Sequence, residues 1–420
     1  MTETADTKKR IIIIGGGFAG LPFIQHLDTN YFSVLLIDKL NHHQFQPLFY
    51  QVATSQLEPS SISFPFRKVF QHKKNMQVRM AEVSEINSGT NKVITNIGNF
   101  QYDFLVIASG CKTNFFGNDE LMKKALPLKT IYDAITIRNQ ILENFEKFLS
   151  VPEHEKECLL NIVIAGAGPT GIELAGAFAE IKKNILPKDY PGIDFTKLNI
   201  ILVEGSKYPL SSMSGNAQKF SAKYLDQLGV KLLTEVFVNN YDGNEASLSN
   251  GQKIKTKNLI WTAGVTGNII NGLGPESITR GRINVNRFNL VEDYPDIYAI
   301  GDIAFMHTPK YPSGHPQVAN VAIGQAKNLA RNFNAMIKNK SWKEYEYTDL
   351  GSMATIGKNK AVVDFPFMKL KGRLAWFIWM SLHLMLILSV KNKLIIFINW
   401  AWSYLTKDTS LRLILKKTNN

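Results

Sequence analysis

Three glycines, Gly15, Gly17 and Gly20, follow an apolar run at residues 10–14 in the spacing GxGxxG, and Asp38 ends the next apolar run 18 residues after Gly20. Each residue type has a task if the chain must hold a dinucleotide. The first glycine allows a tight turn out of a strand, the second lets backbone approach a pyrophosphate, and the third lets the following helix lie against the strand. The amino terminus of that helix brings N–H groups and the positive end of its dipole to the phosphates. The acid accepts hydrogen bonds from ribose hydroxyls. The whole pattern recurs as Gly166, Gly168 and Gly171 followed by Glu204. Two complete copies predict two dinucleotides, one a flavin and one a nicotinamide. A carboxylate at position 204 binds a ribose 2′-hydroxyl and repels a 2′-phosphate, which favours NAD over NADP; the nearby Lys207 softens that preference without reversing it.

Glu173 lies two residues past Gly171, in the first turn of the second nucleotide helix. An acid there can simply complement the helix dipole. However, that dipole should face a pyrophosphate, and a second negative charge beside it is unfavourable without a task, so Glu173 is expected to act near the nicotinamide or the flavin. Gly301-Asp302 closes an apolar run late in the chain and reads either as an ordinary turn or as a loop whose acid accepts a flavin ribityl hydroxyl. The two cysteines, Cys111 and Cys158, are 47 residues apart. They exclude a disulfide framework and a cysteine-ligated cluster, and they lack the close spacing of a thiol relay. Each is expected to be a small buried apolar residue, so the electrons should pass directly from the flavin to an acceptor. No metal site is predicted.

Strands are expected at residues 10–14, 33–37, 104–108, 161–165, 199–203, 259–263 and 296–300. Helices should follow each glycine turn and cover residues 131–149 and most of 316–337, with a polar linker at 152–157. The order predicts an α/β protein with two Rossmann-like dinucleotide-binding domains, the first interrupted by the second. The boundaries are expected at 1–118 and 266–345 for the flavin domain, 119–265 for the nicotinamide domain, and 346–420 for a carboxy-terminal segment.

The chain has 420 residues, 45% apolar and 20% charged, which suits two or three domains and excludes a disordered or low-complexity protein. Its first residues are polar and no signal-like apolar stretch follows, so a cytoplasmic location is expected. The net charge is +13, and residues 366–420 hold nine Lys/Arg against the single acid Asp408. Those basic residues bracket the uncharged runs 374–390 and 394–406, which carry Trp376, Trp379, Trp400, Trp402 and Tyr404. An anionic membrane surface therefore fits better than nucleic acid. The first run is marginal for a spanning helix and the second too short, so they read as two amphipathic helices lying in the membrane surface, or as a hairpin buried in a dimer interface. A membrane-lying flavoprotein without a thiol relay points to a lipid-soluble quinone as acceptor.

The chain resembles the type II NADH:quinone oxidoreductases, bacterial branch, over essentially its whole length. The resemblance rests on GGGFAG at 15–20, HQFQPLFYQVAT at 43–54, ASG at 108–110, GAGPTGIELAG at 166–176, WTAGV at 261–265, YAIGD at 298–302, GSMATIGKNKAV at 351–362 and NWAWSYLT at 399–406. It implies that Gln46-Pro47-Leu48 lies against the isoalloxazine, with Pro47 also near the quinone entrance. It adds Phe18, Ala19, Lys39, Val83, Ser109 and Gly110 to the flavin set formed by the first glycines, Asp38, Gly301 and Asp302. It adds Thr170 and Gly264 to the nicotinamide set, and identifies Glu173 with the family's glutamate between flavin and nicotinamide. The family's quinone motif AQxAxQ corresponds to Ala319-Asn320-Val321-Ala322-Ile323-Gly324, with both glutamines replaced. Ala319, Asn320, Ile323 and Gly324 remain the candidate quinone residues. The implied function is NADH oxidation through non-covalent FAD with two-electron reduction of menaquinone or ubiquinone and no proton pumping. The expected location is peripheral, on the cytoplasmic face of a bacterial inner membrane, with room for a homodimer. The rivals are a sulfide:quinone oxidoreductase-like flavoenzyme and a membrane-tethered NADH-sensing flavoprotein.

Overall fold

A computed structural model describes residues 8–409 and 411–415. Lys416 and Lys417, counted above in the basic tail, lie outside the described residues. The chain forms two compact units, the first from Met1–His43, Phe64–Lys112 and Val265–Asp349, the second from Gln44–Ser63, Thr113–Gly264 and Leu350–Asn420.

The first unit is built on a five-stranded parallel sheet in the spatial order Ile297–Ala299, Phe104–Ile107, Lys9–Ile14, Phe32–Asp38, Met76–Met80. Its central strand carries four consecutive isoleucines because both faces are covered. Ile11 and Ile13 enter a core with Phe23, Leu329 and Phe333, contributed by helices Gly20–His26 and Ala319–Ile337. Ile12 and Ile14 enter the opposite core with Ile86 and Val93, from an antiparallel meander of Val83–Asn87, Lys92–Thr95 and Gly98–Gln101. The glycine turn after Ile14 and the turn after Ala299 thus sit at the carboxyl ends of two parallel strands that flank Phe104–Ile107, where such sheets bind ligands.

The second unit repeats the plan, with parallel strands Leu126–Pro127, Asn258–Trp261, Asn161–Ala165, Asn199–Glu204 and Val230–Thr234 in that spatial order. Helix Pro169–Asn184 starts on a proline, whose fixed φ suits a first helical position. Thr130 and Asp133 form a capping box that starts helix Ile131–Phe148. The linker expected at 152–157 is instead helix Glu153–Leu160: Pro152 is its extended cap, and Glu153 and Glu155 complement its dipole. Beyond residue 350, strands Ser352–Thr355, Ala361–Asp364 and Lys369–Lys371 form an antiparallel sheet. Two helices follow, Gly372–Leu386 and Val390–Thr406. They turn Trp379 and Trp400 inward, with ring centroids 6.0 Å apart, and leave Leu374, Phe377, Met385, Phe397, Ile398, Trp402 and Leu405 exposed. Among the described residues no helix is long and apolar enough to cross a membrane.

Candidate dinucleotide and quinone sites

In the first unit, Gly15 adopts φ +99°, and a Cβ there would overlap the Ala108 carbonyl oxygen. The Gly15 N–H donates to Ile37 O at 2.8 Å, and the Gly16 N–H donates to Asp38 Oδ2 at 2.7 Å. Asp38 also accepts from Leu40 N–H at 2.8 Å, yet burial pushes its carboxyl above the ordinary range. Nothing approaches within 4 Å of a Cβ built on Gly17, which leaves space over the turn, whereas a Cβ on Gly20 would overlap the Gly15 carbonyl. Ala19 is buried against Gly301, and Phe18 stands edge-on to His43, whose Nδ1 lies 3.0 Å from Gly16 O. Ser109 and Gly110 are bound to Asn268, the serine hydroxyl donating to its carbonyl at 2.8 Å and the glycine carbonyl accepting its N–H at 2.9 Å. Lys39 points outward to Glu82 at 2.6 Å, and Val83 opens the meander.

The Gly301-Asp302 turn is held by a residue of helix Ala319–Ile337. Gln325 is wholly buried, and its Oε1 accepts the Gly301 N–H at 2.8 Å. Among the described residues its Nε2 has no partner, a buried donor at the turn that a flavin carbonyl or hydroxyl would satisfy. The expectation for Cys111 is corrected too. It is half-buried, and its thiol donates to Asp302 Oδ2 at 2.9 Å. The open space at Gly17, the two bound acids and this orphan amide fit a dinucleotide. Non-covalent FAD would be held by these groups and would supply two-electron redox chemistry.

In the second unit, Gly166 also adopts φ +99°, and its N–H donates to Val203 O at 2.7 Å. Glu204 Oε2 accepts the Ala167 N–H at 2.7 Å and Oε1 accepts the Ser206 N–H at 2.7 Å. A cleft of about 610 Å³ brings together Gly166, Gly168, Glu204 and Gly264, with Phe116, Phe237 and Thr262 in its walls. Lys207 is drawn over the Tyr208 ring. Thr170 is exposed at the helix start and Gly171 buried, and neither lines the cleft.

Glu173 does not line that cleft either. It is 7% exposed and faces a second cavity, of about 370 Å³, with Tyr50, Thr355, Trp379 and Trp400. Burial raises its carboxyl to about 8, against a long 3.4 Å hydrogen bond from Thr355 N–H, which favours the charged form. The Trp379 indole N–H, which has no partner in hydrogen-bonding geometry among the described residues, favours it from nearby. His383 stacks on Trp379 at 4.0 Å, and burial lowers its imidazole to about 4. Gln46-Pro47-Leu48 form a single 3₁₀ turn, with Leu48 buried and the Gln46 Oε1 accepting from Lys129 Nζ at 3.2 Å.

The candidate quinone residues Ala319, Asn320, Ile323 and Gly324 occupy the first two turns of helix Ala319–Ile337 and are part-exposed. Gly324 is not an open position. A Cβ there would overlap the Tyr345 hydroxyl and come within 3.0 Å of its ring carbons. The phenol of Tyr345 thus fills the space that a longer side chain at 324 would need.

Of the tail's basic residues, Arg412 is tied to Asp189 and Asp408, and Lys371 sits over the Phe220 ring at 3.4 Å. These two cations face protein, so the basic tail face is smaller than composition alone implies.

The pyridine nucleotide-disulphide oxidoreductase profile matches residues 9–326, and the NDH2 C-terminal domain profile matches 350–407. The chain is 31% identical over 425 residues to the type II NADH:quinone oxidoreductase Ndh of Mycobacterium tuberculosis, covering 96% of this chain and 90% of that protein. It is 28% identical to the mitochondrial internal alternative NAD(P)H-ubiquinone oxidoreductase A1 of Arabidopsis thaliana, covering 94% and 84%. The structure of NDH2 from Plasmodium falciparum in complex with NADH shares the fold, with TM-score 0.89 at 23% identity over 97% of this chain and 100% of that one. The sulfide:quinone oxidoreductase of Aquifex aeolicus reaches a TM-score of 0.71 at 18% identity, over 92% of each chain. With both profiles matched and a relative above 30% identity along nearly the whole chain, this protein belongs to the type II NADH:quinone oxidoreductases.

Proposed function

We propose that this enzyme oxidises NADH and reduces a quinone through non-covalently bound FAD, without pumping protons. The balance is NADH plus a proton plus quinone giving NAD and quinol. The observation that carries the reading is the pair of matched phosphate turns, Gly15–Asp38 and Gly166–Glu204, each closed by its own acid. The first turn binds FAD, with Asp38 on the adenosine ribose and Asp302 on the ribityl chain. The second binds NADH, with Glu204 on its ribose. Glu173 holds a proton at neutral pH because it is buried, and it serves the proton that accompanies quinone reduction. Asn320 and its neighbours on the same helix orient the quinone head group.

Neither cysteine is in a disulfide: Cys111 donates to Asp302 and Cys158 to Glu155 O at 3.0 Å. This favours direct transfer over the thiol chemistry of a sulfide oxidoreductase. The double variant Cys111→Ser, Cys158→Ser should therefore retain NADH-dependent quinone reduction. Loss of that activity with flavin still bound would favour the sulfide reading.

The exposed apolar face of helices Gly372–Leu386 and Val390–Thr406 lies on an anionic membrane, in the peripheral manner expected for the cytoplasmic face of a bacterial inner membrane. Truncation is a poor test, because Trp400 donates to Gln51 Oε1 and Asn392 donates to Ser60 and Ser61 carbonyls. Phe397→Ser with Trp402→Ser and Leu405→Ser removes only exposed apolar groups. It should abolish co-sedimentation with anionic vesicles while leaving the melting temperature unchanged. Undiminished vesicle binding would exclude this face.

A further inference from the structure

Beside Glu173 runs a short chain of hydrogen bonds whose direction is forced. The Trp400 indole can only donate, and its Nε1–H donates to Gln51 Oε1 at 2.8 Å. That fixes the amide, so the other end, Nε2, donates to the Tyr50 hydroxyl oxygen at 2.9 Å. With its oxygen accepting from Gln51, the Tyr50 hydroxyl keeps its own proton for a further acceptor. All three side chains are buried, at 9%, 4% and 5% exposure, where an apolar trio would fill the space without needing partners. Tyr50 and Glu173 line the same cavity, where the Tyr50 ring lies 6.3 Å from that of Trp379, which lines it too.

We propose that Trp400, Gln51 and Tyr50 form a one-directional donor chain that presents the Tyr50 proton to Glu173. Gln51 and Trp400 are then positioning residues for proton handling, and the last helix becomes part of the reaction machinery as well as a surface element. The inference rests on the reading of Glu173 given above. The other ionisable groups around that cavity are Glu180 and Lys183 on the same helix as Glu173, Lys358 and Lys360 in the loop after Thr355, Tyr404 and Lys407 at the end of the last helix, and His383 stacked on Trp379.

The test uses the full chain with bound flavin, reduced by NADH and mixed with a soluble quinone, and follows the reoxidation rate against pH. Glu173→Gln should remove the alkaline fall in rate. Tyr50→Phe, which removes the proton the chain would present, should move that fall upward by about one pH unit. Gln51→Leu and Trp400→Phe should move it the same way by less, because each only loosens the Tyr50 hydroxyl. Trp400→Phe keeps the ring and serves if Gln51→Leu does not fold. A purely structural role would lower flavin content and melting temperature without moving the midpoint. If Glu173→Gln removes the titration but Tyr50→Phe leaves it in place, the chain is refuted and the reading of Glu173 stands. If Glu173→Gln leaves the titration intact, that reading falls and the chain falls with it.

Discussion

The two glycine turns are near copies. Gly15 and Gly166 share φ +99°, their N–H groups reach the neighbouring strand at 2.8 and 2.7 Å, and the next N–H in each reaches its acid at 2.7 Å. What differs is the helix that follows. The first is Gly20–His26, with Pro22 two residues past its last motif glycine; the second is Pro169–Asn184, with Glu173 at the equivalent place. The turn is a binding device that tolerates little change, whereas the first helical turn is where a copy acquires its own chemistry. One copy carries an inert ring there and the other a carboxyl that burial raises to about 8.

Breaking each turn separately gives the largest effect. Gly15→Ala forces a side chain into a left-handed conformation and onto the Ala108 carbonyl, and the protein should purify without flavin absorbance. Gly166→Ala meets backbone of Thr262 and Ala263 and should retain flavin, while its reduction by NADH slows more than about 100-fold, a loss of roughly 3 kcal/mol. Flavin loss in both variants would mean that the turns are not independent sites.

Glu173 comes next. The folded protein holds its proton up to about 8, while the unfolded chain releases it near the ordinary 4.5. The stability this gives is complete below that lower value and falls as pH rises toward 8. Denaturant titrations should show the wild type losing roughly 4 kcal/mol more than Glu173→Gln across that window. Parallel curves would remove the case for a buried proton.

The parts of the fold that repeat were legible because each apolar run is buried on both faces and ends at a glycine or an acid. Ile11–Ile14 and Asn161–Ala165 are such runs. Helix Glu153–Leu160 was not, since its polar surface hides the capping logic at Pro152. At the sites, Asp38 and Glu204 were readable from position alone. Gln325 was not, because only the fold shows that its side chain turns inward to Gly301. Tyr345 filling the space at Gly324 depends on a contact across 21 residues that no local pattern encodes. Tyr50 and Gln51 lay inside a segment the family resemblance had already marked, but their partner Trp400 is 349 residues from Gln51.

Smaller effects separate the two copies further. Glu204→Gln should narrow the preference for NADH over NADPH by about 1–3 kcal/mol, measured as the ratio of kcat/KM values. An unchanged ratio would move the discrimination to the cleft walls. Asn320→Ala should slow flavin reoxidation by quinone by about 1 kcal/mol, the cost of a part-exposed hydrogen bond. Gly324→Gln should be worse than neutral, because Tyr345 already occupies the space, and a melting-temperature scan would show it.

The central claim is that one chain joins two half-reactions through a single flavin. It is tested most directly by anaerobic stopped-flow absorbance of the purified enzyme. Mixing with NADH should bleach the flavin band completely, and a second mixing with a soluble quinone should restore it, one quinol formed per NADH consumed. Bleaching without recovery by any quinone, or recovery that requires an added thiol or sulfide, would contradict the account.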